Sequence, residues 1–219
     1  MVSKKYKETI PHEGFSILKK WTDSANASFV FTSNVDGHFQ KSGFAEEWIN
    51  ECHGSIIHLQ CLSRCGQKIW RVPDHFRIRL DREKMYAHDP LPTCPSCQGL
   101  ARPNILMFSD FEWDSSRTNE QYRRVNAYIK RYFDDDPSTT VIIEMGAGTA
   151  IPSIRTFGER RQRGGETLIR INPRESNGTR GTISIPLGAK VALEAIDMIM
   201  RKQPREKPVV TKARRLYQE

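Results

Sequence analysis

Cys61-Leu62-Ser63-Arg64-Cys65 and Cys94-Pro95-Ser96-Cys97 are two tight cysteine pairs, with His53-Gly54-Ser55 just ahead of the first. Pairs at C-x3-C and C-x2-C spacing converge readily on one tetrahedral Zn²⁺. Four thiolates close the coordination shell and leave no position for substrate. The expected ion is therefore structural, with Cys61, Cys65, Cys94 and Cys97 as its ligands. Around them, from about Ile56 to Pro103, the pattern is short strand-like pieces with few large apolar residues. Such a module needs the metal as its core. Cys52 has no partner spacing and reads as a small buried apolar residue.

Outside this module the period changes. His12–Ser24 carries Phe15, Leu18 and Trp21 at helical spacing behind Pro11. Ser28–Thr32 is a β-forming apolar run that ends in the polar loop Ser33-Asn34-Val35-Asp36-Gly37. Asn104–Phe108 reads as another strand. Thr118-x-x-Gln121 is a capping-box signature opening a helix whose stripe is Tyr122, Val125, Ile129 and Tyr132. Thr139–Met145 is a buried strand, followed by Gly146-Ala147-Gly148-Thr149, a basic helical segment, and the strand Thr167–Asn172. Ala189–Met200 closes the pattern as a helix with Val191, Ile196 and Ile199 apolar. Strands alternating with helices predict an α/β chain: a Rossmann-like parallel sheet with helices on both faces.

The expected organisation is a partial Rossmann-like NAD-binding domain from 1–55 and 104–202, the zinc-ribbon module at 56–103, and a basic tail at 203–219. The 219 residues carry a net charge of +8, and part of the excess lies in Arg155–Arg163 and in Arg201–Arg215. That balance allows an anionic cofactor or nucleic acid. Nucleic acid is not favoured, because Pro204 and Pro208 break the C-terminal run and no aromatic residue interleaves it before Tyr217. Met1–Pro11 has no apolar core of a signal peptide, and no apolar run nears the ~18 residues of a membrane span. The reading is a cytoplasmic chain with no membrane partner, where reduced thiols suit metal better than disulfides.

Two motifs carry chemistry only in company. Gly146-Ala147-Gly148 is half of a dinucleotide fingerprint, with Ile151 where a third glycine belongs, and an ordinary tight turn explains it equally well. His53, Asn34 and Asp36, each alone, read as a structural histidine and two turn residues. Together they would matter if they met at one sheet edge.

Taken in order, the motifs resemble the sirtuin family of NAD-dependent protein lysine deacetylases. Thr32-Ser33-Asn34-Val35-Asp36-Gly37 is similar to its T-Q-N-I-D-G, Gln40-Lys41-Ser42-Gly43 to its Q-K-A-G, and His53-Gly54-Ser55 to its H-G-S. The cysteine pairs are similar to its zinc ribbon, and Arg102–Asp110 resembles its R-P-x-I/V-V-x-F-G-E segment. Gly148-Thr149-Ala150 stands where the family has G-T-S, and Ile171-Asn172 where it has I-N. The resemblance implies transfer of an acyl group from lysine to ADP-ribose, with release of nicotinamide. It makes His53 the general base, which an imidazole of pKa ~6.5 suits. It places Asn34 at the nicotinamide ribose or an ordered water, and Asp36 at the nicotinamide side. Thr32, Ser33, Gly148, Thr149, Ala150 and Asn172 complete the NAD contacts. Met107 and Phe108 line the passage for an acyl-lysine protein or peptide.

Several departures bear on activity. Nothing before Thr32 resembles the family's opening glycine-rich strand, loop and helix, which suggests weak NAD binding and slow turnover. Ser33 replaces a glutamine, at a cost of ~0.5–1.5 kcal/mol for one hydrogen bond. Phe39 replaces a histidine, and Ser109-Asp110 replaces Gly-Glu. Two other readings stay open: a non-catalytic zinc-ribbon module that binds protein or nucleic acid, and an NAD-dependent ADP-ribosyltransferase.

Overall fold

The computed structural model describes residues 8–202, apart from 74, 75, 77, 82, 85, 134 and 135. The basic tail expected at 203–219 lies outside the described residues. Along the chain, helix α1 (Glu13–Ser24) leads to strand β1 (Val30–Thr32), the short helix α2 (His38–Lys41) and β2 (Ile49–Glu51). Next come β3 (Gly54–Cys61), β4 (Trp70–Arg71), β5 (Arg79–Asp81), β6 (Tyr86–His88) and β7 (Ala101–Ile105). Helix α3 (Ser116–Tyr132), β8 (Val141–Met145), α4 (Ser153–Arg163), β9 (Thr167–Ile171), β10 (Ile183–Ile185) and α5 (Ala189–Lys202) complete it. Among the described residues no helix is long and apolar enough to cross a membrane.

Parallel pairing is confined to two groups of strands. One is β1–β2, with Thr32 opposite Glu51; the other has the order β10–β9–β8, with Met145 opposite Ile171. The cysteine-bearing segment is antiparallel instead, with one sheet in the order β4–β3–β7 and a separate hairpin β5–β6. The main core joins Ile17 of α1, Ile171 of β9, and Ala192 and Leu193 of α5. Helix α1 starts cleanly because the His12 ring Nδ1 accepts from the Gly14 N–H at 3.1 Å. A smaller core of Leu59, Val72 and Ala101, flanked by Trp70 and Phe76, sits in the cysteine-bearing segment. That segment thus has apolar packing of its own, more than its composition suggested.

The ladder also buries charge. Arg170 on β9 is fully buried and bonds Glu144 of β8 through Nε at 2.5 Å and Nη2 at 3.0 Å. Its Nη2 also reaches Glu159 of α4 at 3.0 Å, and Nη1 reaches the Asn177 carbonyl at 2.9 Å. The guanidinium therefore ties two strands, a helix and the loop after β9 to one point.

Several elements differ from the sequence expectation. Helix α3 starts at Ser116, so Thr118 and Gln121 lie inside it. Instead of capping, the Thr118 hydroxyl donates to the Glu51 carbonyl at 3.2 Å, and Gln121 Oε1 accepts from the Glu51 N–H at 3.0 Å. The buried stripe is accordingly Thr118, Gln121, Val125 and Ile129, and Tyr132 is exposed. The strand expected at Asn104–Phe108 is shifted back to Ala101–Ile105, because pairing with β3 sets its register and leaves Leu106, Met107 and Phe108 outside. In α5, Val191 and Ile199 are exposed, since α1 packs on Ala192, Leu193 and Ile196. Asp197 is buried there too, accepting from the Trp21 indole N–H at 3.0 Å. Strand β10 was not expected at all: Ile183-Ser184-Ile185 is too short a run to stand out.

Removing one partner of a buried pair strands the other charge, which costs about 3–5 kcal/mol. Glu144→Ala should therefore destabilise the chain by about 3 kcal/mol or more in urea unfolding, the lower end reflecting the remaining Glu159 contact. Glu194→Ala, which breaks only the exposed Lys190 pair, should cost under about 1 kcal/mol. Equal losses would mean that the Arg170 network carries no stability.

Candidate active site and metal centre

Parallel strands leave their functional loops at their carboxyl ends. In register, β1 and β2 end at Thr32 and Glu51, so Asn34 and His53 leave the same edge. Backbone bonds hold the two loops there: Cys52 N–H to the Thr32 carbonyl, and Ile56 N–H to the Val35 carbonyl, both 2.9 Å. A third loop joins them through Leu106 N–H to the His53 carbonyl at 3.0 Å, with exposed Met107 and Phe108 just beyond. The sheet edge thus gathers Thr32, Ser33, Asn34, His53 and the 106–108 segment.

Within that cluster the side chains differ in freedom. Thr32 is buried, and its hydroxyl oxygen accepts from the Asn34 N–H at 3.1 Å, fixing the start of the loop. Asn34 itself is exposed. Asp36 is half-buried and turned toward α2, accepting from the His38 N–H at 2.9 Å, with the His38 ring at 3.7 Å. His53 is half-buried, and its Nε2 lies 3.1 Å from Ser153 Oγ. Burial lowers the His53 pKa below its ordinary value, which keeps the ring neutral and able to accept a proton. The neighbouring Cys52 is also half-buried, and burial pushes its thiol up to about 11, so it is no thiolate at neutral pH.

A crevice of about 590 Å³ opens at the matching ends of β8 and β9, lined by Gly146, Gly148, Asn172, Pro173, Arg174 and Glu175. Gly146 has φ +65, and a Cβ there would stand in open space, so the backbone is bare to the crevice. Asn172 is nearly buried and bridges two loops: its Nδ2 donates to the Ala147 carbonyl, and its Oδ1 accepts from the Arg174 and Glu175 N–H groups. Thr149 donates its N–H and hydroxyl to Glu175, which holds that carboxyl below the usual range. Ala150 is exposed beside it. Arg155 braces the rim, donating to the Ala147, Glu175 and Asn177 carbonyls. The Thr149 donors are taken by Glu175 and the Gly146 N–H by the Ile171 carbonyl at 2.9 Å, so the crevice offers an uncrowded glycine turn and, on Glu175, a carboxylate acceptor for sugar hydroxyls.

Helix α4 joins the two regions. Phe157 stacks on Phe31 of β1, with ring centroids 4.1 Å apart and planes 5° from parallel, while Ser153 reaches His53. Sequence reading missed Ser153, Arg155 and Glu175. Ser153 had one signal, a serine directly after Pro152 at a helix start.

The thiols of Cys61, Cys65, Cys94 and Cys97 all lie within 4.8 Å of one another. Cys61 Sγ is 3.6 Å from Cys97 Sγ, and Cys65 Sγ is 3.5 Å from Cys94 Sγ. A tetrahedron with ~2.3 Å Zn–S bonds has sulfurs about 3.8 Å apart, so the quartet fits zinc. The Cys65 N–H, directed at Cys61, leads the effects that lower the Cys61 thiol, while at Cys65 the Gln67 N–H is outweighed by the Cys94 and Cys97 thiols, which raise it, so the four thiols titrate as one cluster.

A family model described as the Sir2 family matches residues 1–129. The chain belongs to the Sir2 family. Among its relatives, an NAD-dependent protein deacylase of Aeropyrum pernix is 28% identical over 193 residues, covering 87% of this chain and 66% of the relative. An NAD-dependent protein deacetylase of Oceanobacillus iheyensis is 32% identical over 106 residues, covering 48% and 38%. The chain thus spans less than two thirds of the length of these curated relatives. Solved Sir2 structures share its fold. A Sir2 homolog–NAD complex superposes with TM-score 0.68 at 20% identity, over 91% of this chain and 68% of that one. A Sir2–p53 peptide–NAD⁺ complex gives 0.66 at 19% identity, over 91% and 74%. For this Sir2 chain the α/β sheet with helices and the cysteine quartet agree with the sequence expectation.

Purified chain should carry about one zinc by elemental analysis, and Cys94→Ala should carry none. Because structural zinc contributes an apparent ~10–16 kcal/mol in small zinc peptides, chelation should lower the melting temperature of the wild type and not of the variant. Equal zinc content in both chains would contradict the quartet.

Proposed function

We propose that this Sir2-family chain is an NAD-dependent protein lysine deacylase. The observation that carries the reading is that one helix, α4, links a half-buried neutral imidazole, His53, to the crevice at the ends of β8 and β9: Ser153 reaches His53, and Arg155 braces the crevice rim. Relatives named NAD-dependent protein deacylase and deacetylase, and Sir2 complexes with NAD and peptide, support it.

In this reading Gly148, Thr149, Ala150 and Asn172 take the adenosine half of NAD, with Glu175 accepting from sugar hydroxyls. Thr32, Ser33, Asn34 and Asp36 take the nicotinamide end. Bound there, NAD supplies an electrophilic ribose carbon with nicotinamide as leaving group. His53 accepts a proton at its unprotonated ring nitrogen from a ribose hydroxyl, and its low pKa keeps that nitrogen free at neutral pH. Asn34, exposed at the same edge, orients the sugar or a water by its carboxamide. Met107 and Phe108 offer apolar surface to a neutral acylated lysine, whereas an unpaired charged lysine would be costly to bury there. Cys61, Cys65, Cys94 and Cys97 would hold a structural zinc, which would fix the fold of the 56–103 segment. Residues 1–55 with 104–202 form the nucleotide-binding part in this reading, and 56–103 the zinc lobe. Cysteines used as metal ligands rather than in disulfides suit a reducing cytoplasm.

Nicotinamide release from NAD, measured with and without an acetyl-lysine peptide, tests the reading. Release should depend on the peptide and fall about 10²–10⁴-fold in His53→Ala, the usual contribution of a positioned general base. Peptide-independent release, or equal rates in His53→Ala, would overturn it.

A further inference from the structure

The His53 ring has one side-chain hydrogen bond among the described residues, to Ser153, the first residue of α4. We propose that Ser153 is a positioning residue for His53: its hydroxyl donates to Nε2 and sets the resting ring as the Nδ1–H tautomer. The inference rests on His53 being the base of the proposed reaction.

The direction of the bond follows from the helix. The N-cap of α4 is Pro152, and no side chain caps the first turn. Its leading N–H groups therefore present the partial positive charge of a helix start. A hydroxyl in that field turns its oxygen toward the helix and its hydrogen outward, and outward lies His53 Nε2 at 3.1 Å. A neutral imidazole that accepts at Nε2 carries its proton on Nδ1.

Ser153 is also held well enough to act as a fixture. Arg155, two residues on, is pinned to three loop carbonyls, and Phe157 is stacked on Phe31. The hydroxyl thus stands in for a substrate hydroxyl. When a sugar hydroxyl arrives, one O–H donor replaces another at Nε2, an exchange of two bonds each worth ~0.5–1.5 kcal/mol. No change of tautomer is then needed before proton transfer. Without Ser153 the ring divides between tautomers, and the competent fraction falls.

Nitrogen spectra of ¹⁵N-histidine-labelled chain, recorded well above the His53 pKa, read the tautomer directly. Wild type and Ser153→Thr should show the Nδ1–H form, and Ser153→Ala a mixture of the two. Nicotinamide release in Ser153→Ala should drop about two- to fivefold in kcat/KM, with recovery in Ser153→Thr. The same tautomer ratio in wild type and Ser153→Ala would overturn the proposal whatever the rates. A tautomer shift with no peptide-dependent release in any of the three chains would overturn the base role of His53, and with it the positioning role, while leaving the hydrogen bond itself in place.

Discussion

The carbonyl oxygen of Asn104 stands 2.1 Å from where a Cβ of residue 54 would be, and the backbone there has φ +82. Only glycine permits both the turn and the contact. That approach sets Gly54 opposite Ile105; the register shifts between Ser55 and Leu59, and the pairing then resumes and ends with Cys61 opposite Ala101. One antiparallel pair, irregular at its middle, therefore has His53 at its head and a thiol of the cysteine quartet at its foot. Placement of the imidazole and assembly of the sulfur quartet are two ends of the same ladder.

A second constraint secures the other side of the site. Burying Arg170 requires Glu144 and Glu159 around it, which locks β8, β9 and α4 together. Its remaining bond to the Asn177 carbonyl, beside those of Arg155, steadies the loop that walls the crevice. Asn172 then ties that loop to the Gly146–Gly148 turn. The crevice is shaped by charge pairs and amide bonds more than by apolar packing. This explains how a rim lined by glycine, proline and polar side chains keeps its form.

Much of this was legible in residues whose signal is local. Cysteine pairs declare a metal site by spacing, and the runs Val141–Met145 and Thr167–Ile171 declare strands by composition. What stayed hidden depends on contacts far along the chain. Thr118 and Gln121 have the spacing of a helix cap, but the Glu51 backbone, 70 residues from Gln121, claims them. The bounds of β7 are set by β3, so a run read alone placed the strand too late. A charged residue inside a strand, such as Arg170, looks like a solvent-facing position until its partners are known. Ser153 was likewise invisible as a partner of His53, because the two lie 100 positions apart. The sirtuin resemblance named the imidazole but said nothing of what holds it.

The reading requires that His53 and the turn after β8 belong to a single binding site. Titrating NAD into labelled chain, while following the His53 ring and the backbone amides of Gly148, Thr149 and Asn172, tests that most directly. All four should shift together with one dissociation constant. Shifts at the three amides with an unmoved imidazole, or none at either, would contradict it.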